Sequence, residues 1–599
     1  MLTKDHAVMI SASAASAPIL LSDAAIHADL HLDMRCGGNG ICRRCEVQWE
    51  GKRVLACQTR VSQNGLMHVP TSSLVPEELA VESAFTPPVP RPANPRCKRC
   101  IVRVASPREL PGSSDWERLC RGAFGNDEWP GIAPNVLSKL PNLLDSECQV
   151  RLTILDNEVL FIDDASQPEK QVLGAAIDVG TTTVVVRLMD LATGEQLALA
   201  GAQNRQVSLG ANVISRIALG STLRGLELLQ SLISEKTILP LIDKCMEQAG
   251  IHDVPIHRVV VGGNTVMMHL FLGLSPKGLG AVPFNAVTLA PEPATGAFVG
   301  LPVELAECLP AAGAYIGGDV LGGVYALGLD RPGPPELLID IGTNSEMVLR
   351  VGENLYAASA PAGPAFEGGG LSCGGPASPG AITHLRVEHD SFHIQTYKNM
   401  APSHICGSAY IDFLAEGRKH GFISECGRLL DTFTGVRLID SVRAETHVYG
   451  KGWHCILAKD VSVNEYDISL LLQAKASVLS GVQILLRKAG INPSDLNVLH
   501  VAGGFGRHLD PSNAVLIGLL PAVDLKKIKI VGNTSLAACS SALLNSHSIK
   551  DMRELALRVK IIELNLESDF EECYINSLLV RTYLHPQRKS PNDRTCSEY

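Results

Sequence analysis

The sequence predicts a multidomain α/β (α+β) protein in which a small cysteine-bearing domain precedes a duplicated α/β fold. Three observations predict it. Cys36, Cys42, Cys45 and Cys57 gather in a glycine-rich stretch near the start. A proline-rich run, "TPPVPRPANP" (86–95), separates that stretch from the rest of the chain. Finally, "AAIDVGTTTVVVRL" (175–188) aligns without gaps to "LLIDIGTNSEMVLR" (337–350).

Composition sets the bounds. At 599 residues the chain is too long for one hydrophobic core. Fifty-two Lys and Arg against 62 Asp and Glu give a net charge of −10, which argues against a general nucleic-acid footprint. Apolar residues at 46% with 19% charged describe a well-buried protein. No stretch approaches the roughly 20 uninterrupted apolar residues of a membrane span. The early run "AVMISASAASAPILL" has the look of a signal peptide, but Asp5 stands beside Lys4 and serines break the apolar part. It reads instead as a strand over 7–12 and a short helix, "ILLSDAAIHADL". Seventeen cysteines, an odd number scattered along the chain, fit reduced thiols plus one metal site, and so the cytoplasm.

The cysteine spacing is Cys36-x5-Cys42-x2-Cys45, with Cys57 arriving in a separate segment, "GKRVLACQTRV". Thiolates suit both iron–sulfur clusters and zinc. Structural zinc sites usually present two short ligand pairs across a longer spacer. Three ligands in one loop and a fourth elsewhere come close to the plant-type [2Fe–2S] arrangement, with one extra residue in the first gap. Gly37, Gly38 and Gly40 let that loop aim N–H groups at bridging sulfides. Zinc and idle thiols are the alternatives. Cys97 and Cys100, in "NPRCKRC", have no second pair nearby and read as incidental.

The domains expected are a cysteine domain (1–85), a proline-rich linker (86–100), a small middle unit (101–168) and two lobes (172–335 and 336–599). The middle unit carries the alternating segments "CIVRVAS" and "VRLTIL". Each copy of the repeat is an apolar strand, an acid, a glycine turn and a second strand, which is a β-hairpin pattern. A weaker echo comes after each copy: "VVVGGNTVMMHLF" (259–271) and "VLHVAGGFGRHL" (498–509). In the Asp-x-Gly-Thr turns, glycine lets phosphate oxygens approach backbone N–H groups and threonine adds hydroxyl donors. Asp178 and Asp340 offer hard oxygens to Mg²⁺, through water, or orient a hydrolytic water. "VAGGFG" (501–506) suits a flat adenosine. Two structural hairpins with no ligand are the plainer alternative.

These motifs resemble the actin/sugar-kinase/heat-shock-chaperone ATPase superfamily, and the chain as a whole resembles the reductive activators of corrinoid proteins. The likeness rests on "CGGNGIC", "LACQTRV", "IDVGTTTVVV", "NRQVSLGANVISRI", "GGNTVMMHL", "LIDIGTNSE", "PAFEGG", "ICGSAYIDFL" and "VAGGFG". It implies an N-terminal β-grasp ferredoxin-like domain and a two-lobed, duplicated ribonuclease-H-like ATPase. By resemblance, Cys36, Cys42, Cys45 and Cys57 hold a [2Fe–2S] cluster. Asp178, Gly180, Thr181, Thr182 and Thr183, with Asp340, Gly342, Thr343 and Asn344, hold ATP phosphates and Mg²⁺. Gly503, Gly504, Phe505 and Gly506 sit at the adenosine. The implied activity is ATP-dependent return of Co(II) to Co(I) in the corrinoid protein of a methyltransferase system. An upstream electron donor and a homodimer through the ATPase part are implied too, with no nucleic-acid or membrane partner.

Three departures stand out: Arg43 and Arg44 where Gly-Lys is expected, Asn212 where aspartate is expected, and Ala409 where glycine is usual. They bear respectively on docking or cluster potential, Mg²⁺ handling and loop packing. A superfamily kinase for a small molecule, or a chaperone-like ATPase with a regulatory iron–sulfur domain, are the rival readings.

Overall fold

The computed structural model describes residues 6–10, 18–28, 30, 32–34, 38, 40, 44–70, 73–74, 94–125, 128–144, 148–210, 212–389, 391–439, 452–504 and 508–583. Cys36, Cys42, Arg43, Phe505 and Gly506 lie outside the described residues.

The N-terminal domain has a four-stranded sheet, ordered His6–Ile10, Gly65–Val69, Glu46–Trp49 and Lys52–Leu55. A two-stranded piece, Ile19–Leu20 with Arg60–Val61, leads into the helix Leu21–His27. The helix is shorter than the sequence suggests, because Leu20 is still extended and Ala28 already leaves helical geometry. Leu21, Ala25, Val47, Met67 and Val69 close a core that also contains Cys45 and Cys57.

The middle unit pairs Cys97–Val104 with Cys148–Leu155, then Glu158–Asp164 and Gly131–Ile132. Its first strand begins at Cys97, inside the segment read as linker. Residues three apart on a strand face opposite sides. Cys97 accordingly packs into a core shared with the lobes, and Cys100 against the middle unit's own. The helix Asp115–Phe124 starts with a capping box between Ser114 and Glu117.

The repeat becomes two sheets of one topology. In the first lobe, Leu173–Val179, Thr183–Asp190 and Gln196–Gln203 form an antiparallel meander, and Ile256–Gly263 and Val303–Cys308 add in parallel beyond the first strand. In the second, Gly333–Ile341, Ser345–Gly352 and Asn354–Ala360 repeat the meander, and Val498–Ala502 and Ile528–Gly532 repeat the parallel additions. The order is third, second, first, fourth, fifth in both. The two weaker sequence echoes are the fourth strands.

A helix comes after each fifth strand, Gly318–Ala326 or Thr534–Leu544, and these two helices pack together between the sheets. Glycine permits the approach. A Cβ on Gly322 would lie 2.7 Å from Ala538 Cβ, and one on Gly323 2.7 Å from Thr534 Oγ1. Ala176, Val185, Val260, Leu338, Val348 and Ala502 seal this core from both sheets. The starts of both helices, and the turns of both hairpins, are thereby brought to one cleft.

Among the described residues one helix, Glu465–Ala489, is long and apolar enough to cross a membrane. Its apolar window is 83% buried within the fold, where it backs the second lobe's sheet.

Candidate functional site

The cleft between the lobes holds a cavity of about 250 Å³. Both hairpin turns line it: Asp178 and Gly180 to Thr183 from the first lobe, Asp340 and Gly342 to Asn344 from the second. Gly503 and Gly504 close one side. The structure thus brings together every described residue that the sequence assigned to the nucleotide.

Local chemistry fixes these turns. Gly180 N–H donates to the Thr183 carbonyl at 2.9 Å, and a Cβ on Gly180 would come within 2.7 Å of that oxygen. Gly503 has φ +98°, and a Cβ there would sit 2.5 Å from the Ile341 carbonyl and 2.9 Å from Asp340 Oδ1. A side chain at 503 is therefore excluded by the positive φ and by the second hairpin, its Ile341 carbonyl first and Asp340 next. Gly504 lines the cavity and has open space where a Cβ would be, so a ligand can approach its backbone.

Asparagine caps steady the first turn. Asn264 caps the helix Thr265–Phe271 through Met267 N–H (3.0 Å) and donates to Thr181 Oγ1 (3.1 Å). Arg216, fully buried, donates to the carbonyls of Thr181 (2.6 Å) and Gly210 (2.9 Å). Burial lowers its pKa to about 9, opposed by the charge of Glu367. Asn212 does not line the cavity. It caps the helix Val213–Gly220, accepting from Ser215 N–H at 2.9 Å, so its departure from aspartate concerns a helix end. Ala409 is buried in the first turn of the helix Gly407–Lys419, a place for a small residue.

Three acids in the cavity were not singled out from sequence: Asp319, Glu346 and Glu367. Asp319 opens the helix Gly318–Ala326 after "YIGG", a glycine-then-acid pattern at a helix start. Glu367 stands in "PAFEGG", where glycines after the acid allow a tight turn. Together with Asp178 and Asp340 they gather five carboxyl groups around one pocket. Burial, then the charges of Asp319, Asp178 and Glu367, pushes Asp340 up to about 8. Burial, with a contribution from Asp178, pushes Asp319 up to about 7. Burial, then Asp319 and Asp340, carries Glu346 well above the carboxylate range.

A cation between these carboxyl groups and a polyanion would favour their ionised forms and offset the phosphate charge. Among the described residues no three His, Cys, Asp or Glu side chains form a metal cage. Mg²⁺ needs none, because it keeps several waters and binds through one or two carboxylates plus substrate phosphates. The donor set fits that use.

Two of the four predicted sulfur ligands fall within the described residues, and they are side by side. Cys45 Sγ lies 3.2 Å from Cys57 Sγ, both side chains buried. Gln58 Nε2 reaches back to the Gly38 carbonyl, whose residue has φ +83°. Two soft donors from separate segments, with the left-handed Gly38 and Gly40 beside Cys57 and Gln58, fit an iron–sulfur group. Next to them Arg44 donates to the Ser403 carbonyl of the second lobe at 3.2 Å.

Fold and cleft define a class: an enzyme built on the two-lobed nucleotide-binding fold of actin and the sugar kinases. Residues 335–588 match the family profile described as the C-terminal domain of RACo, the ASKHA domain, and residues 173–332 match the RACo middle region. The chain is 28% identical over 582 residues to the corrinoid activation enzyme RamQ of Eubacterium limosum, covering 93% of this chain and 95% of that protein. It is 26% identical over 420 residues to the [Co(II) methylated amine-specific corrinoid protein] reductase of Methanosarcina barkeri, covering 64% and 72%. It is also similar to the solved structure of a reductive activator for corrinoid, iron-sulfur protein, at 29% identity and a TM-score of 0.74, covering 94% of this chain and 95% of that one. The chain belongs to the RACo family of corrinoid activators.

Proposed function

We propose that this chain uses ATP to drive the reductive activation of a corrinoid protein, delivering one electron that returns Co(II) to Co(I) for methyl transfer. The observation that carries the reading is the joining, in one chain, of the buried Cys45–Cys57 pair to a two-lobed carboxylate cleft. A [2Fe–2S] cluster on Cys36, Cys42, Cys45 and Cys57 would supply the one-electron chemistry. Mg²⁺ near Asp178 and Asp340 would balance the phosphate charge. Thr181, Thr182, Thr343 and the turn amides would position the phosphates, and Gly503 and Gly504 would admit the nucleoside. The partner would be the corrinoid protein of a methyltransferase system in the cytoplasm, with a separate upstream electron donor and pairing of two copies through the ATPase part.

Energetics give a reason for the joining. One-electron transfer to a lower-potential acceptor is uphill by about 1.4 kcal/mol per ~59 mV. A gap of ~180 mV thus costs roughly 4 kcal/mol, which corresponds to about a thousandfold difference in affinity. A two-lobed ATPase that binds its partner more tightly in one nucleotide state can provide that difference.

Anaerobically prepared protein, a chemical reductant and a Co(II) corrinoid protein test the reading by cobalt absorbance. Co(I) should accumulate only with ATP, while bleaching of the protein's own brown chromophore by the reductant should not need it. Equal Co(I) formation without ATP would overturn the proposal, and phosphate transferred to a sugar would favour a kinase.

A further inference from the structure

Glu367 ties the two phosphate hairpins together. Its carboxylate accepts from the Thr182 hydroxyl of the first lobe. It also accepts from the hydroxyl (3.0 Å) and the backbone N–H (3.1 Å) of Thr343 in the second. These are the very groups the repeat offers to phosphate, and all three converge on one half-buried carboxyl group. Carboxylate and phosphate oxygens are equivalent acceptors for such donors, and each donor hydrogen serves one strong partner at a time. Phosphate and Glu367 therefore compete for the same places.

The chain around Glu367 gives that competition a consequence. Glu367 ends the short turn Pro364–Glu367, and Gly368 and Gly370 come next with φ of +77° and +76°. The loop doubles back on itself without room for side chains. A Cβ on Gly368 would lie 2.2 Å from Gly375 N, and one on Gly374 2.2 Å from the Gly368 carbonyl. A shift at 367–368 cannot leave 374–375 in place, because close-packed backbone transmits displacement. The far side of this loop bonds to Ile405: its N–H donates to the Cys373 carbonyl (2.8 Å), and its carbonyl accepts from Gly375 N–H (3.0 Å). Two residues before Ile405 is Ser403, whose carbonyl receives Arg44 from beside the cysteine pair. One compact loop has a phosphate-competing carboxylate at one end and the dock of the cysteine domain at the other.

We propose that Glu367 is a built-in phosphate surrogate that bridges the two lobes through the donors ATP phosphate would otherwise take. ATP phosphate displaces it, and the displacement passes through residues 368–375 to loosen the Arg44–Ser403 dock. This rests on the reading that the hairpins bind ATP. Nucleotide would then govern the freedom of the cysteine domain to meet its partner, with no change in the thiols themselves.

The test uses the full, anaerobically prepared chain with a non-hydrolysable ATP analogue and Mg²⁺. Affinity is read by calorimetry, and hydrogen exchange by mass spectrometry over residues 46–55 and 403–406. E367A should bind the analogue about tenfold more tightly than the parent, with E367Q between, since a neutral amide competes less well for charge-assisted donors. The analogue should raise exchange in both segments of the parent, and E367A should show that raised exchange without it. R44A should raise exchange at 46–55 with unchanged affinity. If E367A melts early, the near-isosteric E367Q decides. Unchanged or weaker affinity in E367Q overturns the surrogate. Lost ATP turnover at parental affinity assigns Glu367 to water positioning and overturns it too. Tighter binding with no change in exchange overturns the transmission. A parent that binds no nucleotide overturns the underlying ATP reading.

Discussion

Asn533 Nδ2 lies 2.7 Å from Asp178 Oδ2, so the acid of the first hairpin is held by a residue of the second lobe. The amide is oriented by its other atom, since Asn533 Oδ1 caps the helix Thr534–Leu544 through Leu536 N–H at 2.8 Å. Asn533→Asp keeps an acceptor for the cap but sets a second carboxylate against Asp178. ATP turnover should fall at least about tenfold while the melting temperature stays near the parent's. Asn533→Ala should lose about 1 kcal/mol of stability as well, the usual worth of a cap. Unaltered turnover in N533D would show that the cross-lobe bond does not set Asp178.

Asp178→Ala and Asp340→Ala test the cradle more directly. Each removes one of the two hairpin acids that line the cavity. Turnover should drop about a hundredfold or more, the scale of lost electrostatic positioning, with analogue binding less affected. Phosphate release and calorimetry on the same samples separate the two effects. Parental hydrolysis in both variants would mean the paired turns are structural.

The sulfur ligands allow a contrast within one chain. Cys45→Ser and Cys57→Ser should strip or strongly perturb the iron and sulfide content, because thiolate is the soft ligand such a group needs. Cys97→Ser and Cys100→Ser should leave it intact. Burial raises the Cys97 thiol to about 11 and raises Cys100 as well, so both sit as neutral thiols on opposite faces of a strand. Iron and sulfide analysis with EPR reads all four variants, and full occupancy in both C45S and C57S would remove them as ligands.

Distance along the chain decided how much of this was legible in sequence. Asp178 and Asp340 could be read because each acid, glycine and threonine set lies within one short turn, and the turn occurs twice. Glu367 and Asn533 could not, because nothing near them in the chain says that they meet Thr182, Thr343 and Asp178. A signal did exist for Asn533: "VGNTSLA" echoes "GGNTVMM", and both asparagines cap helices that begin at the cleft. Asn212 suggested Mg²⁺ handling only by comparison with an expected aspartate, whereas its position just before a helix serves a cap. Spacing also misplaced the end of the proline-rich linker, since strand formation from Cys97 depends on pairing with Cys148–Leu155, far along the chain.

Lys475 supplies a pH test of the second lobe. It is buried in the long helix, where its ammonium donates to the carbonyls of Ser577 and Leu579, the latter at 2.7 Å. Burial, then the charge of Arg581, lowers it to about 7 from 10.5. Between those values the unfolded chain binds more protons than the folded one, so stability should rise with pH from about 7 towards 10.5. For one group the slope approaches about 1.4 kcal/mol per pH unit. Denaturant unfolding at pH 7, 8 and 9 should show that excess slope in the parent and its loss in Lys475→Met. Identical pH profiles would place the proton elsewhere.

The last prediction joins the two halves by linkage. If the corrinoid partner prefers one nucleotide state, it must raise the population of that state in return, because coupling between two binding sites is reciprocal. Adding the Co(II) partner should therefore change the affinity for the nucleotide analogue, the analogue should change partner affinity by the same factor, and basal ATP turnover should respond to the partner as well. Gly504→Asp separates this from any effect on the thiols. Gly504 borders the cavity with open space where a Cβ would stand, so a carboxylate there meets incoming nucleotide rather than the fold. The variant should keep its iron and its reducibility, lose ATP turnover, and fail to reduce cobalt. Cobalt absorbance, phosphate release and iron content are read on one preparation. Cobalt reduction at the parental rate in G504D would separate the cleft from electron delivery and leave the ATPase with another task.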